Sequence, residues 1–221
     1  MDEWATAAEI ASAVGEGRAT AVATVEAALA RIETRDGRYN SFTAITADRA
    51  LAKARALDAA IAGGEPVPPL AGVPFAVKNL FDIEGLPTVA GSKINRDRPP
   101  PAVDSLLIQR LEAAGAVLIG ALNMGEYAYD FTGENIHDGP SRNPHDTSRM
   151  TGGSSGGSGA AVAGGLVPLS LGSDTNGSIP RARLILRPLR AEADLWASLP
   201  RGQFSVRRQL RSSRAAGALH R

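Results

Sequence analysis

The feature that most constrains this chain is "TGGSSGGSGAAVAGGLVPLSLGSD" (151–174), a glycine-serine lattice that runs into an alanine-rich segment and then into an apolar run of strand length. Glycines at this density let the backbone take conformations closed to other residues. Amides of such a loop, set ahead of an Ala-rich helix, can face a substrate. The same composition suits a flexible linker. The apolar "LVPLSLGSD" favours the packed reading, because linkers rarely lead straight into a buried strand. A second small-residue turn, "SDTNGS" (173–178), closes that strand.

Upstream, helical and strand patterns alternate. "TAAE" (6–9) fits a capping box, so a first short helix is predicted to begin there. Val22, Val25, Leu29 and Ile32 recur at helical spacing, and "RDGR" (35–38) is predicted to end that second helix. "SFTAIT" alternates like a strand, and 47–64 reads as an Ala-rich helix closed by a Gly pair. "AGVPFAVKN" looks like a buried strand with Lys78 at its end. Val103, Leu106, Leu107 and Leu111 share a helical face ahead of the strand-like "GAVLIGAL" (115–122). "NMGEYAYDF" can start another helix, and 132–157 is too rich in Gly, Asn, Asp and Pro to be anything but loop. A loop this long inside a compact domain is usually functional. The alternation predicts an α/β fold with covered strands.

Composition narrows the chemistry. The 221 residues are 43% hydrophobic, enough for a real core. There is no cysteine, which removes disulfides, thiolate catalysis and Cys-based metal sites. With only three histidines, no His-rich metal site is expected, and the chemistry falls to Ser, Lys, Asp or Glu. The N-terminus lacks the basic and apolar regions of a signal peptide, and no stretch has the length of a membrane span. The expectation is a cytoplasmic protein. Charge is unevenly spread: residues 180–221 hold ten arginines, no lysine and two acids, so the rest of the chain is net acidic.

"GGSSGGSGAAVAGGLVPLSLGSDTNGSI" (152–179) resembles the signature of the amidase signature family, and the resemblance extends back through "NPHD", "GAVLIGALNMGEYAY" and "PLAGVPFAVKN" to the N-terminal helices. It implies the N-terminal part of an amidase signature fold, a mixed central sheet covered by helices, over residues 1–179. It also implies a triad of a lysine, a serine held by a cis peptide bond and a nucleophilic serine. By motif these are Lys78, Ser154 and Ser178. Backbone amides of Thr175, Asn176, Gly177 and Ser178 would form the oxyanion hole. The family more often has Gly where Asn176 stands; Asn tolerates left-handed dihedrals, and the variant is at home in the carboxybiuret hydrolase branch.

The residue chemistry agrees with that trio. A serine hydroxyl is a poor nucleophile until a base takes its proton, and the lattice holds no histidine. Free lysine, with a pKa near 10.4, is neutral only about one part in a thousand near pH 7.4 and must be desolvated to act as a base. The apolar run before Lys78 would supply burial, and the Ser154 hydroxyl, both donor and acceptor, would relay the proton. Outside such a motif, a lysine after a strand is ordinarily a surface charge. His137 and His145 are expected to serve loop structure or the pocket rim.

The segment 123–146 is similar to that of carboxybiuret hydrolase subunits and more distantly to glutamyl-tRNA amidotransferase A subunits, although Gly125 and Asp130 depart from the usual N-M-D-E-F pattern. The resemblance implies a small carboxamide or urea-like substrate, no cofactor, and an accessory subunit or homo-oligomer as partner. After Ile179 it stops. Read one base later, the codons of "PRARLILRPLRAEADLWA" permit "RVPASFCGLFGLKPTYG", which is family-like, so 180–221 is expected to be an out-of-frame tail. The rival is an Arg-rich arm that binds nucleic acid through phosphates, but such arms typically mix Lys with Arg. Family domains are about twice this length, so walls around Lys78 and much of the pocket are expected to be missing. Three functions stay open: amide hydrolase, inactive fragment, and nucleic-acid-binding arm.

Overall fold

The computed structural model describes residues 2–174. Helix α1 (Ala7–Gly15) starts at the capping box read from the sequence: Glu9 N donates to Thr6 Oγ1 and Thr6 N to the Glu9 carboxylate. Helix α2 (Ala21–Tyr39) is capped by Thr20 and leads to strand β1 (Phe42–Ile45). Helix α3 (Ala47–Ala62) closes at Gly63, as its sequence predicts. Strand β2 (Pro74–Lys78), helix α4 (Leu106–Ala113) and strand β3 (Val117–Leu122) form a crossover unit. A hairpin of β4 (Arg142–Asn143) and β5 (Asp146–Met150) precedes helix α5 (Gly156–Ala163) and strand β6 (Leu169–Leu171).

The main sheet has the order β1-β3-β2-β6. β2 runs parallel to both β3 and β6, while β1 is antiparallel to β3, so the sheet is mixed. Side chains alternate between two cores. Ala76, Val117 and Ile119 join α2, α3 and α5 on one face. Phe75, Val77 and Leu118 join α1 and α4 on the other. With both faces covered, β2 and β3 are buried along their whole length, which explains their continuous apolar sequences.

Four local expectations are corrected. "RDGR" does not end α2: the helix runs on to Tyr39, and Asn40 terminates it in the left-handed region (φ 52°). Asp36 is retained in the helix because its carboxylate accepts from Ser41 N at 2.9 Å and Phe42 N at 3.0 Å, tying the helix end to β1. Of the four residues read as one face ahead of β3, Leu107 and Leu111 pack against the core around the buried Ile108, whereas Val103 and Leu106 are exposed. "NMGEYAYDF" makes only a single tight turn over Glu126–Ala128, because Tyr127 and Ala128 take positive φ values of 50° and 59°. The loop 132–157 contains the β4–β5 hairpin and the start of α5.

Candidate active site

Lys78 closes β2, and its register places it opposite Leu122 at the end of β3 and one residue beyond the Val77–Leu171 pair with β6. Ligands of such sheets bind beyond the carboxyl ends of the parallel strands. By strand alternation the Lys78 side chain falls on the α5 side. Helix α5 can approach closely because Gly157 has no side chain: a Cβ there would lie 2.5 Å from Asn123 O and 2.6 Å from Ser41 O. Gly157 N donates to Asn123 O at 3.1 Å, fixing the helix start on the sheet end.

This docking brings the lattice serines onto the lysine. Lys78 Nζ donates to Ser154 Oγ at 2.7 Å, Ser155 Oγ at 3.0 Å and Ser173 Oγ at 2.9 Å. Lys78 and Ser154 are 0% exposed. The Gly153–Ser154 peptide bond is cis. Burial pushes the Lys78 ammonium down from its ordinary 10.5 to about 7, against the pull of the Asp174 and Asp130 carboxylates, which favour the charged form. The lysine is therefore poised to exchange a proton near neutrality.

The three hydroxyls are not equivalent. As an ammonium, Lys78 has three protons for three acceptors; as an amine, it has a lone pair that needs a donor. Ser155 Oγ already donates to Ser173 O at 3.2 Å. To turn its proton to the neutral amine, Ser155 would have to give up that bond.

Of the residues singled out in the sequence, Lys78 and Ser154 meet; Thr175, Asn176, Gly177 and Ser178 lie outside the described residues. Sequence reasoning missed Ser155 and Ser173. Ser155 was visible as the second serine of "GGSSGG", and Ser173 stands two residues past β6, in the turn that the parallel pairing of β6 with β2 carries to Lys78. The expectation that Lys78 lacks walls is corrected: β2, the 154–155 corner and Ser173 already bury it. His137 Nε2 lies 3.0 Å from Glu126 Oε1, in the loop that follows β3. Among the described residues, no helix is long and apolar enough to cross a membrane.

At the carboxyl ends of a helix-covered mixed sheet, the chain thus holds a buried lysine bonded to a serine that follows a cis peptide bond. Residues 23–181 match the Amidase family model, and the chain belongs to that family. It is 63% identical over 171 residues to AtzE, the 1-carboxybiuret hydrolase subunit of Pseudomonas sp. (strain ADP), covering 77% of this chain and 37% of that protein. With the glutamyl-tRNA(Gln) amidotransferase A subunit of Anaeromyxobacter sp. (strain K) it shares 54% over 155 residues, 70% of this chain and 31% of the relative. The chain thus spans about a third of the length of these relatives. Among solved structures, it superposes with a TM-score of 0.80 and 60% identity on an inhibitor-bound chain from a vestigial protein complex linked to the origins of an s-triazine catabolic enzyme, covering 81% of this chain and 39% of that one. A bacterial aryl acylamidase of the amidase signature family gives 0.78 at 37% identity, covering 81% and 37%. The mixed sheet and its helices are the N-terminal part of that fold.

Proposed function

We propose that this chain is the first part of a cytoplasmic amide hydrolase in which Lys78 is the base, Ser154 the proton relay and Ser178 the nucleophile. The observation that carries the reading is the fully buried Lys78 amine, 2.7 Å from Ser154 Oγ and with its pKa lowered to about 7. Ser178 Oγ attacks the carboxamide carbon while its proton passes to Ser154 and the Ser154 proton to Lys78. Amides of Thr175, Asn176, Gly177 and Ser178 hold the resulting oxyanion. Collapse breaks the C–N bond, the proton held by Lys78 returns to the departing nitrogen, and ammonia leaves. Water then cleaves the acyl-enzyme ester and restores Ser178.

The substrate we infer is a small urea-like amide of the carboxybiuret type, a reading supported by the 63% identity to the 1-carboxybiuret hydrolase subunit. A small accessory subunit or a second copy would complete the assembly. The alternative, glutamine-dependent amidotransfer, is supported by the 54% identity to the amidotransferase A subunit. We assign residues 1–179 to the amidase signature domain and 180–221 to an out-of-frame tail; the family match ends at residue 181, close to the proposed change of frame. Because Lys78 is already buried, we expect any shortfall in the activity of the 221-residue chain to come from its substrate pocket and not from a wet base. Ammonia release from carboxybiuret and from glutamine, by this chain and by the protein translated from the frame-restored gene, tests the reading. Turnover by the restored protein that is lost in Ser178→Ala is expected; no turnover on any small amide would refute it.

A further inference from the structure

Gly125 has φ −60° and ψ 140°, values open to any residue, so its backbone does not call for glycine. What a side chain there would meet is Asp130: a Cβ on Gly125 would lie 2.5 Å from Asp130 Cβ and 2.8 Å from its Oδ2. The same Oδ2 stands 2.6 Å from where a Cβ on Gly153 would lie. The Asp130 carboxylate therefore fills the space left by two missing side chains, one of them next to Ser154.

Its bonds tie that space to the site. Oδ1 accepts from Thr132 N at 2.9 Å and Thr132 Oγ1 at 2.7 Å, and Oδ2 accepts from Gly133 N at 2.7 Å. The turn so formed holds the segment that presents Ser154. Gly152 N donates to Thr132 O at 3.0 Å and Gly153 N to Phe131 O at 2.9 Å, while Gly125 N donates to Ser154 O at 3.1 Å.

We propose that Asp130 is a positioning residue for the Lys78–Ser154 pair, and that Gly125 lacks a side chain in order to admit its carboxylate. The proposal rests on the reading of Lys78 as the base. Two carboxylates act on Lys78, Asp130 from the loop after β3 and Asp174 from the turn after β6, and both favour its charged form. The other groups bonded to its amine are the hydroxyls of Ser154, Ser155 and Ser173. Asp130 thus holds the relay serine in place and opposes the desolvation of the base.

The chain has three lysines, Lys53, Lys78 and Lys93, so NMR of protein labelled with ¹³C- and ¹⁵N-lysine can follow Lys78 directly, with Lys53→Arg and Lys93→Arg for assignment. Asp130→Asn, which keeps the shape and removes the charge, is expected to move the Lys78 titration to lower pH than in the wild type. A midpoint that stays or rises would overturn the proposal, since a merely loosened site admits water and raises it. A wild-type midpoint near 10 would sink the base reading by itself and leave the comparison with Asp130→Asn intact. Thermal denaturation tests the Gly125 half. Gly125→Ala is expected to lower Tm by about 5 °C and to cost far less in an Asp130→Ala background. Equal losses in the two backgrounds would contradict it.

Discussion

Lys78 Nζ and Ser154 Oγ, 76 positions apart in the chain, meet at 2.7 Å in a site closed to solvent. The meeting depends on two separate pieces of structure. One is a fully covered parallel strand that ends in lysine; the other is a glycine corner that sets the serine against that strand end. Each piece makes its own prediction.

The first concerns pH and stability. The Lys78 pKa is lowered by burial from 10.5 to about 7 in the folded protein. Between those values the unfolded chain binds more protons than the folded one, so stability rises with pH across the window, and below about 7 the lysine contributes no slope. Urea denaturation followed from pH 6 to pH 10 should show this rise in the wild type and a flatter profile in Lys78→Met. Parallel profiles would mean that the lysine is not desolvated.

The glycine corner is equally exposed to test. Gly157→Ala would drive a methyl group into Asn123 N and O and Ser41 O, all backbone atoms with little room to move. A loss of about 3 kcal/mol is expected in urea denaturation. A variant as stable as the wild type would show that α5 does not seat against the sheet end as described.

Asp36 links α2 to β1 through bonds from Ser41 N and Phe42 N, and Ser41 Oγ also donates to it. Asp36→Ala should cost about 2 kcal/mol, since two amides lose a charged acceptor. Asp36→Asn should recover part of it. No effect in either variant would leave the extension of α2 without a cause.

These residues also mark how far the sequence could be read. The Thr6–Glu9 capping box, the Ala-rich α3 and the apolar β2 and β3 were legible because each is a local signal: a cap, a propensity, a buried run. The end of α2 was not, because the turn signal of "RDGR" yields to bonds that Asp36 makes only once β1 is in place. Tyr127 and Ala128 could not be read as a helix break, since their positive φ belongs to a loop bound to Ala90 O and Gly125 O. Lys78 and Ser154 were legible through a family motif. Ser155 and Ser173 were not, because their contact with Lys78 depends on the register of β6 against β2 and on the docking of α5, which are tertiary facts.

Beyond Ile179 the test lies in the gene. Removing one base at the codon after Ile179 should open a long reading frame that begins as "RVPASFCGLFGLKPTYG". If the alternative frame soon meets stop codons, the Arg-rich segment is genuine, and salt-sensitive binding of the purified chain to DNA or RNA becomes the expected result.

The central claim is that a desolvated lysine serves as the base for a serine nucleophile, and the pH dependence of kcat/KM for amide hydrolysis by the frame-restored protein tests it most directly. The rate should rise with pH to a plateau, with a limb near the Lys78 value of about 7, and both limb and turnover should vanish in Lys78→Ala. A limb near 10, or one near 7 that survives in Lys78→Ala, would contradict the account.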